Sequence, residues 1–289
     1  CIRDRDRARA LLGEAGCDVV VAAGGGSAID VGKAAAALAD AEAPTGEYFS
    51  DLPVPAEGRP CIAVPTTAGT GAEVTSNSVL TDPDRQIKQS IRGPGLMPEA
   101  AIVDAALTVS CPPEVTASAG MDAMTQAVES YFSRLATPLT DALALMAARL
   151  IWPNLPVAYE NGQDLSAREA LAYGSLLAGM ALANARLGAV HGMAHPIGYL
   201  CGIPHGVVCA ALLPHVLRFN RQTVGHKYHL LSGICHGDAA DAVERLLERL
   251  ALPRRLSELG LREELFDRIA EESMSSGSTK ANPRTVTVQ

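Results

Sequence analysis

A short apolar run that ends in three consecutive glycines restricts the fold more than any other feature of the sequence. Residues 18–23 read DVVVAA, which is typical of a buried parallel strand, and residues 27–40 have the pattern of a helix. A second apolar strand at residues 61–64 also ends in a glycine–threonine turn. Because strands that alternate with helices form parallel sheets, this part of the chain is predicted to be an α/β domain.

Weaker strand signals continue this domain, and a different pattern follows them. The further strands are predicted at residues 78–81, 86–91 and 101–103. Beyond these, strand signals stop and four segments have helical periodicity, at residues 114–134, 138–152, 167–186 and 239–250. We therefore predict an α/β domain at residues 1–111 and an all-helical domain at residues 112–289. A length of 289 residues, more than most single domains contain, agrees with that division.

The composition argues against several classes of partner. The chain carries 24 Lys and Arg against 32 Asp and Glu, a formal net charge of −8, and only 4% aromatic residues. An acidic chain without basic runs is a poor match for nucleic acid or an anionic membrane surface. Seven scattered cysteines without a C-x-x-C pair favour a reduced, cytoplasmic protein. Because residue one is Cys1, we expect the chain to begin inside a longer protein.

Residues 187–217 contain no Asp, Glu, Lys or Arg, and the stretch is long enough to span a bilayer. It nevertheless carries four histidines and three prolines: His191, His195, His205, His215, Pro196, Pro204 and Pro214. Imidazoles are costly in hydrocarbon, and the prolines would break a spanning helix. We therefore predict a buried interior lined by histidines.

The turn after the first strand has the features of a phosphate-binding site. It consists of Gly24, Gly25, Gly26 and Ser27. Glycines let the backbone approach an anion, and the free amides at the positive end of the next helix attract it. Neither G-x-G-x-x-G nor G-x-x-x-x-G-K-[ST] fits this stretch. Asp30, one turn into the helix, is a candidate acceptor for a ribose or nicotinamide group; the alternative is an ordinary tight strand-to-helix turn.

The turn after the second strand is rich in hydroxyl groups. Thr66, Thr67 and Thr70 are suitable donors to a phosphate or an amide. Two such turns at the carboxyl ends of neighbouring strands face one crevice, which is where doubly wound sheets bind ligands. The alternative is a capped loop in which the threonines satisfy backbone groups.

Carboxylate, amide and imidazole side chains recur at helical spacing in the second half of the chain. Asp122 and Gln126 are four residues apart on one predicted helix, and His191 and His195 have the same spacing on another. His205 follows a proline where a helix can restart. A carboxylate with imidazoles from separate helices suits a divalent transition metal, although a single buried histidine is usually a satisfied core residue. H-E-x-x-H is absent, which argues against a metalloprotease.

Five motifs together resemble one known family. They are GGGSAIDVGKA at residues 24–34, PTTAGTGAEVT at 65–75, GMDAMTQAVESY at 120–131, HGMAHPIG at 191–198 and PHGV at 204–207. In order and spacing they resemble the iron-containing, or group III, alcohol dehydrogenases over nearly the whole chain. The resemblance implies a Rossmann-like nucleotide-binding α/β domain, incomplete because its first strands are missing, then an all-α domain. It also implies a dehydroquinate synthase-like architecture with an active-site cleft between the domains.

The resemblance implies a role for individual residues. Gly24, Gly25, Gly26, Ser27, Asp30, Thr66, Thr67, Thr70, Thr75 and Lys88 would bind NAD or NADP. Asp122, His191 and His205 fall on metal-ligand positions for Fe(II) or Zn(II), and His195 matches a cleft histidine near the metal. Gln126 stands where the family usually has a fourth ligand, a histidine, and its amide oxygen is a weaker, neutral donor.

The implied reaction is reversible hydride transfer between a small alcohol and its aldehyde or ketone, with the metal polarising the alcohol oxygen. One alternative is a metal-independent reductase of the maleylacetate reductase type, which the glutamine at position 126 favours. Another is a nucleotide-binding fragment without catalytic activity. A homodimer is one possible assembly.

Overall fold

The computed structural model describes residues 2–50, 52–85 and 87–288, which form two compact units. The first unit comprises Cys1–Thr67 and Gly71–Thr108, and the second comprises Ala68–Thr70 and Val109–Gln289. The α-helices and strands described in the first unit are α1 (Ile2–Glu14), β1 (Val20–Gly24), α2 (Gly26–Ala37), β2 (Cys61–Pro65), β3 (Asn77–Asp82), β4 (Ile87–Arg92) and β5 (Ala100–Ala101).

The apolar runs of the first unit form a parallel sheet, as the sequence predicts. The strand order is β1–β2–β5, with Val20 opposite Cys61 and Ile62 opposite Ala100. Helix α2 follows β1 directly and packs on this sheet, where Ile29 is buried against Ala63. The α/β character predicted for this part of the chain is confirmed.

The two middle strands form a sheet of their own. Strands β3 and β4 pair antiparallel, with Ser78 opposite Ile91, so they add nothing to the edge of the parallel sheet. The Asp82 carboxylate stabilises the connecting turn by accepting hydrogen bonds from the backbone N–H groups of Asp84 and Arg85 at 3.0 and 3.1 Å. A local turn thus pairs these strands with each other. Gln86, the first residue of the strand predicted at residues 86–91, lies outside the described residues.

The α-helices described in the second unit are α3 (Pro113–Phe132), α4 (Pro138–Glu160), α5 (Leu165–Ala185), α6 (Ala189–Cys201), α7 (His205–Val224), α8 (His226–Ile234), α9 (Ala239–Arg249), α10 (Phe266–Ser275) and α11 (Gly277–Ala281). Helix α3 is the central element, because every residue at positions 120–132 is buried and α4, α5 and α7 pack around it. The predicted all-helical second half is confirmed.

Helix α4 is longer than the sequence indicates. The helical periodicity predicts an end at residue 152, but the helix continues to Glu160 with Pro153 and Pro156 inside it. A proline inside a helix removes one backbone hydrogen bond. Leu155, between the two prolines, is fully buried and fills the space that a side chain at Gly120 on α3 would occupy. Burial of this apolar surface outweighs the local cost of the prolines.

The charge-free stretch at residues 187–217 forms α6, a turn and most of α7. The turn contains Gly202, whose φ of 67° favours glycine. His191 is buried there, as predicted, whereas His215 is exposed. In the part of the chain that the structure describes, no helix is both long enough and apolar enough to cross a membrane.

Replacing Leu155 by alanine tests whether packing against α3 holds this part of α4 together. We expect Leu155→Ala to lower the free energy of unfolding by about 2–5 kcal/mol, because it removes a fully buried side chain and leaves a cavity. Leu139→Ala in the same helix is the control, since Leu139 is 70% exposed and should change it by less than about 0.5 kcal/mol. Equal effects of the two substitutions in urea denaturation would contradict this account of α4.

Candidate active site

The glycine turn and the threonine turn are neighbours within the first unit. Parallel pairing places Gly24, the last residue of β1, opposite Pro65, the last residue of β2. The backbone N–H of Thr66 donates a 2.9 Å hydrogen bond to the carbonyl of Gly24 and joins the two turns. Both turns therefore lie at the carboxyl edge of the sheet, the edge at which open α/β sheets bind ligands.

The first turn leaves the start of α2 accessible to an anion. Gly24 has φ 147°, and a Cβ there would lie 2.7 Å from the Cβ of Ala28, so only glycine fits. Gly25 is the N-cap residue of α2, and no side chain caps the amides that follow it. A Cβ on Gly25 would lie 3.4 Å from the Thr67 hydroxyl. Backbone amides, the positive end of a helix and a hydroxyl group thus lie close together.

Two of the predicted cofactor residues have partners inside the first unit. The Asp30 carboxylate accepts a 3.1 Å hydrogen bond from the backbone N–H of Val79 and lies 3.8 Å from the Lys33 ammonium. That ammonium also donates to the carbonyl of Ala72 at 2.7 Å and to the Thr75 hydroxyl at 3.1 Å. Asp30 and Thr75 therefore belong to a buried polar network that joins α2 to the loop before β3.

The charges in this network are shifted by burial. Burial raises the pKa of Asp30 from 3.8 to about 6, against the opposing charges of Lys33 and Lys88. Burial likewise lowers the pKa of Lys33 from 10.5 to about 8. Lys88 lies on β4 opposite Thr81. Lys33 was not among the residues predicted for the site; the available signal was an isolated lysine among alanines, one turn after Asp30.

The remaining predicted residues of the two turns differ in exposure. Gly26 is buried at the start of α2, whereas Ser27 is exposed and Thr66 is half-buried. Thr70 is exposed, and it groups with the second unit.

Within the second unit the structure brings together donor atoms from three helices. Asp122 is on α3, His191 on α6, and His205 and Cys209 are on the first turns of α7. The Asp122 carboxylate lies 3.2 Å from the His191 Nε2 and 3.6 Å from the His205 Nε2. One donor atom from each of the four residues falls within 4.8 Å of the others. Gly206 lets α7 begin this close to α3, because a side chain there would clash with the carbonyl of Ser118.

Glu129, which sequence reasoning missed, fixes the orientation of His191. Its carboxylate accepts hydrogen bonds from the backbone N–H of Val190 at 2.6 Å, the backbone N–H of His191 at 3.2 Å and the His191 Nδ1 at 2.7 Å. Because Nδ1 carries a proton in that bond, Nε2 is directed towards Asp122. The available signal was a carboxylate in an apolar helix, seven residues after Asp122.

Gln126 and His195 flank the four donors. Gln126 lies one turn after Asp122 on α3, and its Oε1 is buried with no hydrogen-bond partner among the described residues. The His195 ring stacks on the His205 ring, with centroids 4.9 Å apart and planes 18° apart. The structure thus places all five residues that the sequence predicted for this centre in one part of the second unit.

The electrostatics of the cluster suit a bound cation. Burial by itself would raise the pKa of Asp122, but the charge of His205 and the hydrogen bond with His191 outweigh it and hold that pKa below its ordinary value. Burial opposes protonation of His191, yet its contacts with Cys209, Asp122 and Glu129 raise its pKa well above 6.5. Burial raises the pKa of the Cys209 thiol to about 12. An ionised carboxylate, two imidazole nitrogens and an amide oxygen without a partner fit a divalent metal.

The fold thus carries two candidate sites, a glycine turn open to an anion in the α/β unit and a cluster of potential metal donors in the helical unit. Residues 1–105 match the family described as iron-containing alcohol dehydrogenase. Residues 116–289 match the C-terminal part of the Fe-containing alcohol dehydrogenase family. The chain belongs to the iron-containing alcohol dehydrogenase family.

Individual relatives agree with this assignment. The chain is 39% identical to the probable alcohol dehydrogenase EutG of Escherichia coli, over 100% of this chain and 75% of the relative. It is 41% identical to the 1,3-propanediol dehydrogenase of Klebsiella pneumoniae, over 93% of this chain and 72% of the relative. The solved sulfoacetaldehyde reductase of Bifidobacterium kashiwanohense, in complex with NAD+, is 35% identical and superposes with a TM-score of 0.92 over 99% of this chain and 77% of that one.

The buried Asp30 should give the protein a characteristic pH dependence. Its folded pKa of about 6 lies above 3.8, so the stability it contributes is present below about pH 4 and is lost as pH rises through about 6. Relative to Asp30→Asn, the wild type should lose up to about 3 kcal/mol in free energy of unfolding across that range. Urea denaturation of both proteins at a series of pH values measures the difference, and a difference that does not change with pH would contradict it.

Glu129→Gln tests whether the carboxylate positions His191. The variant keeps the shape of the side chain but loses the charge that holds the Nδ1 proton. We expect affinity for Zn(II) to fall by about 10–100-fold, measured by competition with a chelating dye. Glu160→Gln is the matched control, because the Glu160 side chain is exposed and pairs with Arg249. Metal affinity unchanged by Glu129→Gln would mean that the carboxylate only caps α6.

Proposed function

We propose that this chain catalyses reversible hydride transfer between a small alcohol and its aldehyde or ketone, with NAD as the hydride carrier. Membership of the iron-containing alcohol dehydrogenase family supports the reaction class. The relative solved with NAD+ supports the carrier. The observation that carries the proposal furthest is the meeting of Asp122, His191 and His205 at one buried place in the second unit.

Residues 1–111 are, in this proposal, the dinucleotide-binding domain. The amides of Gly25 and Gly26 would hold the pyrophosphate, and the Thr66 and Thr67 hydroxyls would donate to the same cofactor. Bound NAD supplies the electrophilic carbon that accepts hydride; the protein supplies position and electrostatics. Asp30 and Thr75 act through the buried network that keeps α2 and the second turn in place.

Residues 112–289 are the metal- and substrate-binding domain. Asp122, His191 and His205 would hold the metal, with Gln126 as a weaker fourth donor. A divalent ion at this place supplies Lewis-acid polarisation of the substrate oxygen. The Glu129 carboxylate keeps the proton on the His191 Nδ1 and so leaves its Nε2 available.

His195 is the residue we assign to proton transfer. It is half-buried and stacks on His205, beside the donor cluster. An imidazole titrates near neutral pH, so it can take up the proton of the alcohol hydroxyl and pass it to solvent. In the reverse direction the same ring returns a proton to the oxygen of the forming alcohol.

The cell compartment and the assembly are part of the proposal. The described cysteines are all free thiols, which supports a reducing, cytoplasmic location. A homodimer remains an expectation drawn from the family resemblance. The substrate is proposed only as a small alcohol or the corresponding aldehyde.

Metal removal tests the proposed reaction. Exhaustive chelation should lower kcat/KM for 1,3-propanediol with NAD by at least about 100-fold, because the ion supplies several kcal/mol of stabilisation, and adding Fe(II) or Zn(II) should restore it. Asp122→Asn should cause a comparable loss. Asp241→Asn, which changes an exposed carboxylate paired with Arg218, should not.

Two results would change the conclusion. Activity that survives complete chelation would favour the metal-independent reductase. The glutamine at position 126 supports that alternative. No binding of NADH in a fluorescence titration would favour a protein without dehydrogenase activity.

A further inference from the structure

We propose that the thiolate of Cys209 is the fourth protein donor of the metal centre, which makes it an oxygen–nitrogen–sulfur site that selects Zn(II) over Fe(II). The inference rests on the proposed function, because it concerns the same centre. Cys209 was not among the residues that the sequence analysis assigned to the site. The structure assigns it by position.

The position of Cys209 follows from the start of α7. It lies four residues after His205, so both side chains project from the same face of the helix. Its Sγ is 3.6 Å from the His205 Nε2. It also lies within 4.8 Å of a donor atom of His191 and of one of Asp122. The sulfur is therefore close enough to all three of the other donors to share one metal ion with them.

Three of the separations between donor atoms are close to those of a tetrahedral metal site. Bond lengths of about 2.0 Å to nitrogen or oxygen and about 2.3 Å to sulfur place neighbouring donors about 3.3–3.6 Å apart. The structure has 3.2 Å between His191 Nε2 and Asp122 Oδ1, and 3.6 Å between His205 Nε2 and the same oxygen. The third measured separation is the 3.6 Å between Cys209 Sγ and His205 Nε2, and the other pairs of donor atoms lie within 4.8 Å.

A buried cysteine is usually a small apolar side chain, so the surroundings of Cys209 must be compared with those of another one. Cys235 in the same unit is 4% exposed, close to the 0% of Cys209. Only burial shifts the pKa of Cys235; none of the charged groups described in the structure acts on it. Cys209, in contrast, lies with Asp122, His191 and His205 in a cluster whose donor atoms are all within 4.8 Å of one another. The difference lies in the neighbours and not in the burial.

The charges and the softness of the donors determine which metal the site prefers. When sulfur coordinates, the thiol proton leaves to solvent, and the thiolate together with the Asp122 carboxylate balances a divalent ion. The Gln126 amide oxygen is neutral and cannot do this. Thiolate ligands favour zinc, whereas an oxygen donor in the same place would suit harder ions. Gln126 is the competing fourth donor, so the experiment must separate the two residues.

Cobalt substitution reports sulfur ligation directly. The metal-free full-length protein is titrated with Co(II), and we expect a sulfur-to-cobalt charge-transfer band in the near ultraviolet in addition to the visible bands. Cys209→Ser should abolish the charge-transfer band and weaken Zn(II) binding at least about tenfold. Gln126→Ala should keep the band. Cys235→Ser, the matched buried cysteine, should keep both the band and the affinity.

A second measurement, X-ray absorption at the zinc edge, should show one sulfur at about 2.3 Å in the wild type and none in Cys209→Ser. One outcome would overturn the role of Cys209 and leave the proposed function intact. In it, the protein binds one metal ion per chain and chelation inactivates the enzyme, but the sulfur-to-cobalt band does not appear. A band that persists in Cys209→Ser would also overturn it. Failure of the protein to bind any divalent metal would overturn both proposals together.

Discussion

The hydrogen bonds of Glu129 connect two helices on which the centre depends, α3 and α6. One carboxylate on α3 accepts from two backbone amides at the start of α6 and from the Nδ1 of His191. The first amides of a helix have no partner within the helix, and a negative charge there is favoured by the helix dipole. The carboxylate that accepts hydrogen bonds from the first amides of α6 therefore also orients His191, a candidate metal ligand. Gly188 lies close enough that a side chain there would meet this carboxylate at 2.7 Å.

The two units differ in the groups that they offer to a charged ligand. The first unit uses backbone: a strand ends, a glycine turn exposes amides, and Gly25 begins a helix without a side-chain cap. The second unit uses side chains from a helix that is buried all round, where each polar group needs a partner. Thr125 and Ser130 find theirs in backbone carbonyls, and Asp122 and Glu129 find theirs in His191. Among the buried side-chain nitrogen and oxygen atoms described on α3, only the Gln126 Oε1 is left without one.

Local patterns predicted the elements that depend on local interactions. The first two strands, the glycine turn between β1 and α2 and the central helix α3 could be read from periodicity and from glycine. The prediction failed at Pro153, where it ended α4, because the burial of Leu155 against α3 is not a local property. It also did not show that β3 and β4 pair only with each other, since strand signals do not carry the identity of the partner.

The sequence by itself determined which residues are suited to bind phosphate, metal and protons, because their chemistry and their helical or turn spacing are properties of short segments. It also determined the division into an α/β part and a helical part through the change in periodicity. Only the tertiary structure decided that Glu129 holds His191, that Lys33 reaches Ala72 and Thr75 inside the first unit, and that Cys209 lies beside Asp122 and His191. The packing of helices sets such contacts: Glu129 and His191 are 62 residues apart in the chain, and no spacing rule links positions that far apart.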